Sequence, residues 1–321
     1  MDADRGRRIA FLFPGQGAQE VGMGRELLGR DAFADGLMAR ASAAAGEDLS
    51  RLCLRGPDRR LAETALLQPA LTAVCLSLWK RLADVGVSGH VTAGHSVGEL
   101  PALAASGLLD PGSAVELAAA RGRAMGEAAT ARSGGMLAIT GLSLDAVEER
   151  IRPLAGRGVL TVATVNAPTQ VTLSGDAELL GEAEALLGAR PEARVTRLRV
   201  SGAWHSAHME PAVTDFARAL EAAPIGAGDD GIPMVFNRHG REARDPAEVR
   251  ALLAGQLTAP VRWDLVLARL AELGVMDLVE IGPGKVLRGL ARLNPATASL
   301  RVHGVSDLRS LDRAAAELTG S

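Results

Sequence analysis

The pentapeptide Gly94-His95-Ser96-Val97-Gly98 places a serine between glycines, with a strand-like Val91–Gly94 before it and a helical stretch, Val97–Ala105, after it. That context is what a nucleophile elbow requires. A sharp strand-to-helix turn turns the hydroxyl outward, and small flanking residues let backbones pass closely. The Val97 amide, at a helix N-terminus, would be placed to donate to a developing oxyanion. The bland alternative is a glycine-rich turn carrying an incidental serine. A serine hydroxyl needs a base at neutral pH, and the chain holds six histidines. His90 starts the elbow strand. His95, next to Ser96, is expected to point elsewhere and pack. His239 and His303 sit near strand ends without marked neighbours. His205 and His208 lie on a Gly-containing loop (Ser201–His208) leading into a helix from Met209. Such a loop can reach across a cleft, so His205 is the better base and His208 is expected to be solvated. A zinc site built on this pair lacks a third ligand at metal spacing.

These residues need elements to hold them. Short apolar strands are expected at 8–13, 91–94, 233–236, 277–281 and 300–302. Helices are expected at 22–46, 68–82, 111–130, 246–257 and 261–273. Alternation of this kind implies a parallel sheet covered on both faces. The middle reads differently, as strand 135–141, helix 144–154, strands 159–165 and 170–174, helix 176–187 and strand 194–200. That β-α-β-β-α-β order is ferredoxin-like. It marks residues 131–200 as a small domain inserted into a large α/β domain formed by 1–130 and 201–321. At about 100–200 residues per domain, a chain of 321 residues accommodates this division.

Composition removes several classes of function. A net charge of −3 argues against bulk binding to nucleic acid or anionic membrane. Five Phe, three Trp and no Tyr leave few stacking platforms for single strands and make the core depend on small aliphatic residues. All but Lys80 and Lys285 of the 35 basic residues are Arg, a bias of composition more than of function. Cys53 and Cys75 form neither a disulfide framework nor a metal spacing. Met1-Asp2-Ala3-Asp4-Arg5 lacks the layout of a signal peptide. The most apolar stretch, Ala65–Leu78, is too short to span a bilayer. A cytoplasmic protein is expected. Gly15-Gln16-Gly17 and Gly282-Pro283-Gly284 follow strands as dinucleotide loops do. The third glycine is replaced by Glu20 and Leu287, however, and Val286 after Lys285 rules out a P-loop.

Eight segments together resemble the malonyl-CoA:acyl carrier protein transacylases and their acyltransferase relatives of polyketide synthesis. They are FPGQGAQEVGMG (13–24), QPAL (68–71), GHSVGEL (94–100), ARGRAM (120–125), NAPTQVTLSGD (166–176), GAWHSAHMEPA (202–212), QLTAPVRW (256–263) and EIGPGKVLRGL (280–290). They occur in the family's order and span nearly the whole chain. The resemblance implies an α/β-hydrolase-like large domain with an inserted ferredoxin-like domain. It implies Ser96 as nucleophile, His205 as base, and the amides of Gln16 and Val97 as oxyanion hole. The main-chain carbonyl of Gln256 would orient His205, and Arg121 would pair with the malonyl carboxylate. A planar guanidinium suits a carboxylate better than Lys does. Without the resemblance, Arg121 is one Arg among 33 on an exposed helix face, and Arg123 points to another face. Asn166 and Gln68 also fall on family positions.

The family usually carries Phe or Ser before the base; this chain carries Trp204, and its GAWH matches neither usual substrate-sorting pattern. A bulky indole near the substrate α-carbon disfavours branched extenders, so malonyl is preferred over methylmalonyl; the alternative is a Trp204 that packs against the sheet. The expected partners are malonyl-CoA and an acidic acyl carrier protein, met in part by Arg194, Arg197 and Arg199. No cofactor or metal is expected. Competing readings are a thioester hydrolase using the same Ser96 and His205, an acyltransferase with another extender, and a non-catalytic carrier-binding subunit.

Overall fold

The computed structural model describes residues 7–226 and 231–320; the segment 1–6, read above for targeting features, lies outside them. Two sheets organise the chain. The larger is built from β1 (Ile9–Phe13) and β2 (Val91–Gly94), with β7 (Met234–Phe236), β8 (Arg241–Glu242), β10 (Asp277–Ile281) and β11 (Arg301–Val305). Its order is β11-β10-β1-β2-β7-β8, and every pairing is parallel except β7 with β8. The smaller is built from β3 (Gly134–Thr140), β4 (Leu160–Ala167), β5 (Gln170–Asp176) and β6 (Arg194–Arg197), with β9 (Val261–Arg262) added. Its order is β6-β3-β5-β4-β9. The first four strands are antiparallel in the ferredoxin-like arrangement. The fifth, which comes from 261–262, runs parallel to β4. The fold is therefore mixed α/β, a parallel hydrolase-like sheet carrying a ferredoxin-like insertion.

Alternation along β1 explains why both faces of the large sheet are covered. Ile9, Phe11 and Phe13 enter the main core with the helices Thr64–Asp84 and Pro111–Ala131, whereas Ala10 and Leu12 enter a second core around Trp263, Val266 and Leu270. A third core fills the small sheet through Leu137, Val147, Val171 and Leu180. Successive strand side chains point to opposite faces, so a strand buried on both sides reads as a continuous apolar run.

Three expected elements differ. The helix expected from Gly22 begins at Ala32, capped by Asp31, because Gly22, Gly24 and Gly29 adopt left-handed backbone that no helix tolerates. Val261 and Arg262 form β9 instead of starting a helix, which begins at Trp263; a two-residue strand leaves no periodicity to read. The expected strand 194–200 ends at Arg197, and Leu198 and Val200 line a cavity instead. Helices Leu49–Arg55, Val286–Leu293 and Leu308–Thr319 were not anticipated from the sequence.

Candidate active site

The site lies at the C-terminal ends of β1, β2 and β7, adjacent strands of the large sheet, where loops of parallel α/β sheets gather polar groups. Glycines make the close approaches. A Cβ on Gly94 would lie 1.8 Å from the Gly98 carbonyl oxygen, and one on Gly98 would lie 2.2 Å from that of Phe13. Both flanking positions therefore admit only glycine, and Ser96 is left at the apex. A Cβ on Gly15 would stand 2.6 Å from the His95 carbonyl oxygen, so the loop after β1 presses its backbone against the elbow and brings Gln16 alongside Ser96. Among the described residues, only Ser96 (φ 53°) and His205 (φ 59°) are non-glycines with positive φ. Each such conformation costs about 1–3 kcal/mol. The strain in the backbone is concentrated on these two residues.

Ser96 Oγ lies 2.8 Å from His205 Nε2, and His205 Nδ1 lies 2.9 Å from the Gln256 carbonyl oxygen. A carbonyl only accepts, so Nδ1 carries the proton. Nε2 is then bare and accepts from the Ser96 hydroxyl, the orientation a general base needs. His205 is buried. Burial first, and the Arg121 charge second, push its pKa down to about 3 against the opposing pull of the Gln256 carbonyl. The imidazole is accordingly neutral at physiological pH.

Arg121 is only 2% exposed, which overturns its reading as a solvated helix residue. The reason is Gly122, whose added Cβ would lie 2.6 Å from the Thr64 carbonyl oxygen. The two long helices touch there, and Arg121 is driven inward. Its guanidinium donates to Gln68 Oε1 (2.8 Å), Gln256 Oε1 (2.7 Å) and Ser96 Oγ (3.2 Å). Burial lowers its pKa to about 10, so it stays charged. Arg123 instead reaches the Ala44 carbonyl on another face. Gln68 Nε2 donates to Thr64 Oγ1, which donates in turn to Gln16 Oε1, linking Arg121 to the loop after β1.

A cavity of about 220 Å³ joins these residues. It is lined by Gln16, Gln68, Ser96, Val97, Arg121, Asn166, Trp204 and His205, with Leu198, Val200 and Val286 also on its wall. Drug-sized ligands need about 300–1,000 Å³, so an acyl end can enter but a whole nucleotide-bearing thioester cannot. Trp204 is 5% exposed and its ring lies over Gly202, where an added Cβ would come 2.7 Å from the indole. Trp204 both packs in the main core and faces the cavity.

Several histidines depart from expectation. His95 packs as expected, tilted against Trp263 with centroids 5.4 Å apart, but it also lines the cavity, with Nε2 2.9 Å from Asn166 Oδ1. Its pKa is lowered by burial. His208 is buried, not solvated, and its Nε2 is 2.7 Å from Asp176 Oδ1, tying the His205 loop to the end of β5. His303 has marked neighbours after all, bridging Asp277 and Glu317. His90 Nδ1 accepts from the Ile9 amide. Among the described residues no cluster of three or more His, Cys, Asp or Glu could hold a metal, and no helix is long and apolar enough to cross a membrane.

Sequence reasoning missed Glu99 and Asn237. Asn237 Oδ1 accepts from the Ser96 amide (2.8 Å) and its Nδ2 donates to the Gly94 carbonyl (2.6 Å), bracing the elbow from β7. Glu99 is buried; its carboxylate accepts from the Asn237 amide (2.6 Å) and from Gln256 Nε2. A lone carboxylate in the apolar run ELPALAA was the signal available.

A strained serine at a strand-to-helix turn, with a neutral histidine beside it and a buried cation 3.2 Å from its hydroxyl, can attack an acyl carbonyl whose acyl group carries a negative charge. Residues 10–294 match the model of the acyl transferase domain, and the chain belongs to that family. It is 35% identical to the malonyl CoA-acyl carrier protein transacylase of Bacillus subtilis (strain 168), over 96% of each chain. It is 36% identical to a polyketide biosynthesis malonyl CoA-acyl carrier protein transacylase of Bacillus velezensis, over 88% of this chain and 95% of that one. A solved malonyl-transacylase in complex with a type II PKS acyl-carrier protein superposes with a TM-score of 0.90 at 33% identity, covering 98% of this chain and 100% of that one.

Proposed function

We propose that this chain transfers a malonyl group from malonyl-CoA to the pantetheine thiol of an acyl carrier protein through a malonyl-serine intermediate. The observation that carries the reading is the Ser96–His205–Gln256 alignment with the buried Arg121 guanidinium 3.2 Å from the same hydroxyl. His205 Nε2 takes the Ser96 proton as Oγ attacks the thioester carbonyl. The amides of Gln16 and Val97 receive the negative charge that develops on oxygen, a contribution of about 3–4 kcal/mol per donor. The carbon–sulfur bond breaks, and the CoA sulfur leaves with the proton from His205. In the second half the pantetheine thiol gives its proton to His205 and attacks the ester. Ser96 Oγ leaves and is reprotonated. Arg121 holds the free carboxylate throughout, with Gln68 fixing the guanidinium plane, and Trp204 fills the space a branched α-carbon would need. Asn166 closes the cavity from β4.

The same reading treats 131–200 as an insertion whose junction with 1–130 and 201–321 forms the cleft. It requires no resident cofactor, because CoA and pantetheine arrive with the substrates, and it places the reaction in the cytoplasm. Arg199 is exposed between the cavity-lining Leu198 and Val200, and Arg194 is exposed at the start of β6, a basic and apolar rim suited to an acidic carrier; Arg197 is engaged by Glu184. Mass spectrometry of the protein mixed with malonyl-CoA tests the scheme. A malonyl adduct on the wild type that Ser96→Ala abolishes is expected. No adduct, or an undiminished one on the variant, refutes it. Release of free malonate in place of transfer to carrier would favour the hydrolase reading.

A further inference from the structure

Arg121 is a buried cation whose hydrogen-bond partners, Gln68 Oε1, Gln256 Oε1 and Ser96 Oγ, are all neutral. The buried carboxylate whose charge acts on it, Glu99, reaches it through the Gln256 amide. That amide is fully committed. Its Oε1 accepts from Arg121, while Nε2 donates to the Ser96 carbonyl oxygen (3.1 Å) and to Glu99. A primary amide has one acceptor end and one donor end, and both Glu99 oxygens are used as acceptors, one from the Asn237 backbone N–H and one from Gln256 Nε2. Glu99 and the Ser96 carbonyl together therefore hold Gln256 with Nε2 on their side. With Nε2 turned to Glu99, Oε1 falls at Arg121; the reverse orientation would set two donors against each other. A direct Arg121–Glu99 ion pair would instead satisfy the guanidinium internally, and an incoming carboxylate would have to displace it. The interposed amide holds Arg121 in place without supplying an anion.

We propose that Glu99 is a positioning residue for acyl-group selection: it orients the Gln256 amide so that Arg121 is held at Ser96 yet left without an anionic partner until a carboxylate-bearing acyl group arrives. The inference rests on the reading of Arg121 as the malonyl clamp. Glu99 also braces the elbow through Asn237, and damage by that route slows every acyl donor alike. Damage through Gln256 and Arg121 falls on malonyl and spares acetyl. The ratio of kcat/KM for malonyl-CoA to that for acetyl-CoA separates the two.

The test compares acyl-enzyme formation from the two donors in four proteins: wild type, Arg121→Ala, Glu99→Gln, and the exchanged pair Glu99→Gln with Gln256→Glu. In Glu99→Gln the new amide nitrogen must face either the Asn237 or the Gln256 donor. The malonyl-to-acetyl ratio is expected to fall at least about tenfold. The exchanged pair restores donor–acceptor order between 99 and 256 but gives Arg121 a direct carboxylate, at the cost of the hydrogen bond to the Ser96 carbonyl. Its ratio is expected to stay as low. A parallel loss of both donors in Glu99→Gln, or a wild-type ratio in the exchanged pair, overturns the proposal. Should Glu99→Gln fail to fold, the exchanged pair decides alone. If Arg121→Ala keeps the wild-type ratio, the clamp reading itself fails and takes the inference with it. If Arg121→Ala collapses the ratio and Glu99→Gln does not, the inference alone fails.

Discussion

The depressed pKa of His205 makes the acid side of the pH profile diagnostic. An imidazole near its usual pKa of about 6.5 would be about 76% neutral at pH 7 and about 3% neutral at pH 5, so acylation would slow about 25-fold across that range. His205 is buried, faces the Arg121 charge and sits near 3; an imidazole at about 3 is still about 99% neutral at pH 5. The acylation kcat/KM, which reports free enzyme and free substrate, should therefore be nearly flat from pH 7 to pH 5. Replacing Arg121 with Gln removes the second cause of the depression, and the acid limb should move upward in pH. The assay is the pH dependence of the acyl-enzyme burst from malonyl-CoA, followed by rapid-quench mass spectrometry. A limb centred near 6.5 in the wild type, or a downward shift in Arg121→Gln, would refute the burial and charge argument. The same shift bears on stability. The unfolded chain takes up this proton near 6.5 and the folded chain only near 3. Below about 6.5 the unfolded state therefore binds more protons, and this residue's contribution turns increasingly against the fold as pH falls towards 3. Above 6.5 it adds no further pH dependence.

Gly15→Ala would put a Cβ 2.6 Å from the His95 carbonyl oxygen and push Gln16 off the elbow. Acylation should fall about 100-fold, the loss of one oxyanion donor, with the adduct still confined to Ser96; unchanged kinetics would remove Gln16 from the site. Gly122→Ala would force apart the helices at Thr64, costing about 1–3 kcal/mol of stability in urea melts and weakening malonyl loading, because Arg121 moves with the helix. Trp204→Phe shortens the ring that faces the cavity, and methylmalonyl-CoA should gain on malonyl-CoA in a competition assay, about tenfold for the space of one or two carbons. A ratio that stays put would leave Trp204 with a packing role only.

Much of the site was legible because its parts are local. Ser96 was readable from two glycines whose Cβ atoms would strike backbone, and the β-α-β-β-α-β order of the small sheet from period and spacing alone. His205 and His208 stood apart from the other four histidines because a Gly-containing loop carries them. The burial of Arg121 was not readable, since what buries it is Gly122 meeting Thr64 on a helix distant in sequence. Nor was β9 readable, because its two residues become a strand only by pairing with β4. His208 and His303 were misread for the same reason: their partners, Asp176, Asp277 and Glu317, lie 14 to 32 positions away along the chain.

The amino-acid sequence by itself determined where the backbone must turn sharply, which runs are buried on both faces and which residue types could act on an acyl group. These follow from sterics and periodicity within a few residues. Tertiary structure alone decided the protonation and charge that make those residues useful. His205 is neutral with its bare nitrogen towards Ser96, Arg121 is charged without an anion, and Glu99 is set behind Gln256, because burial and hydrogen-bond partners from separate elements establish each state.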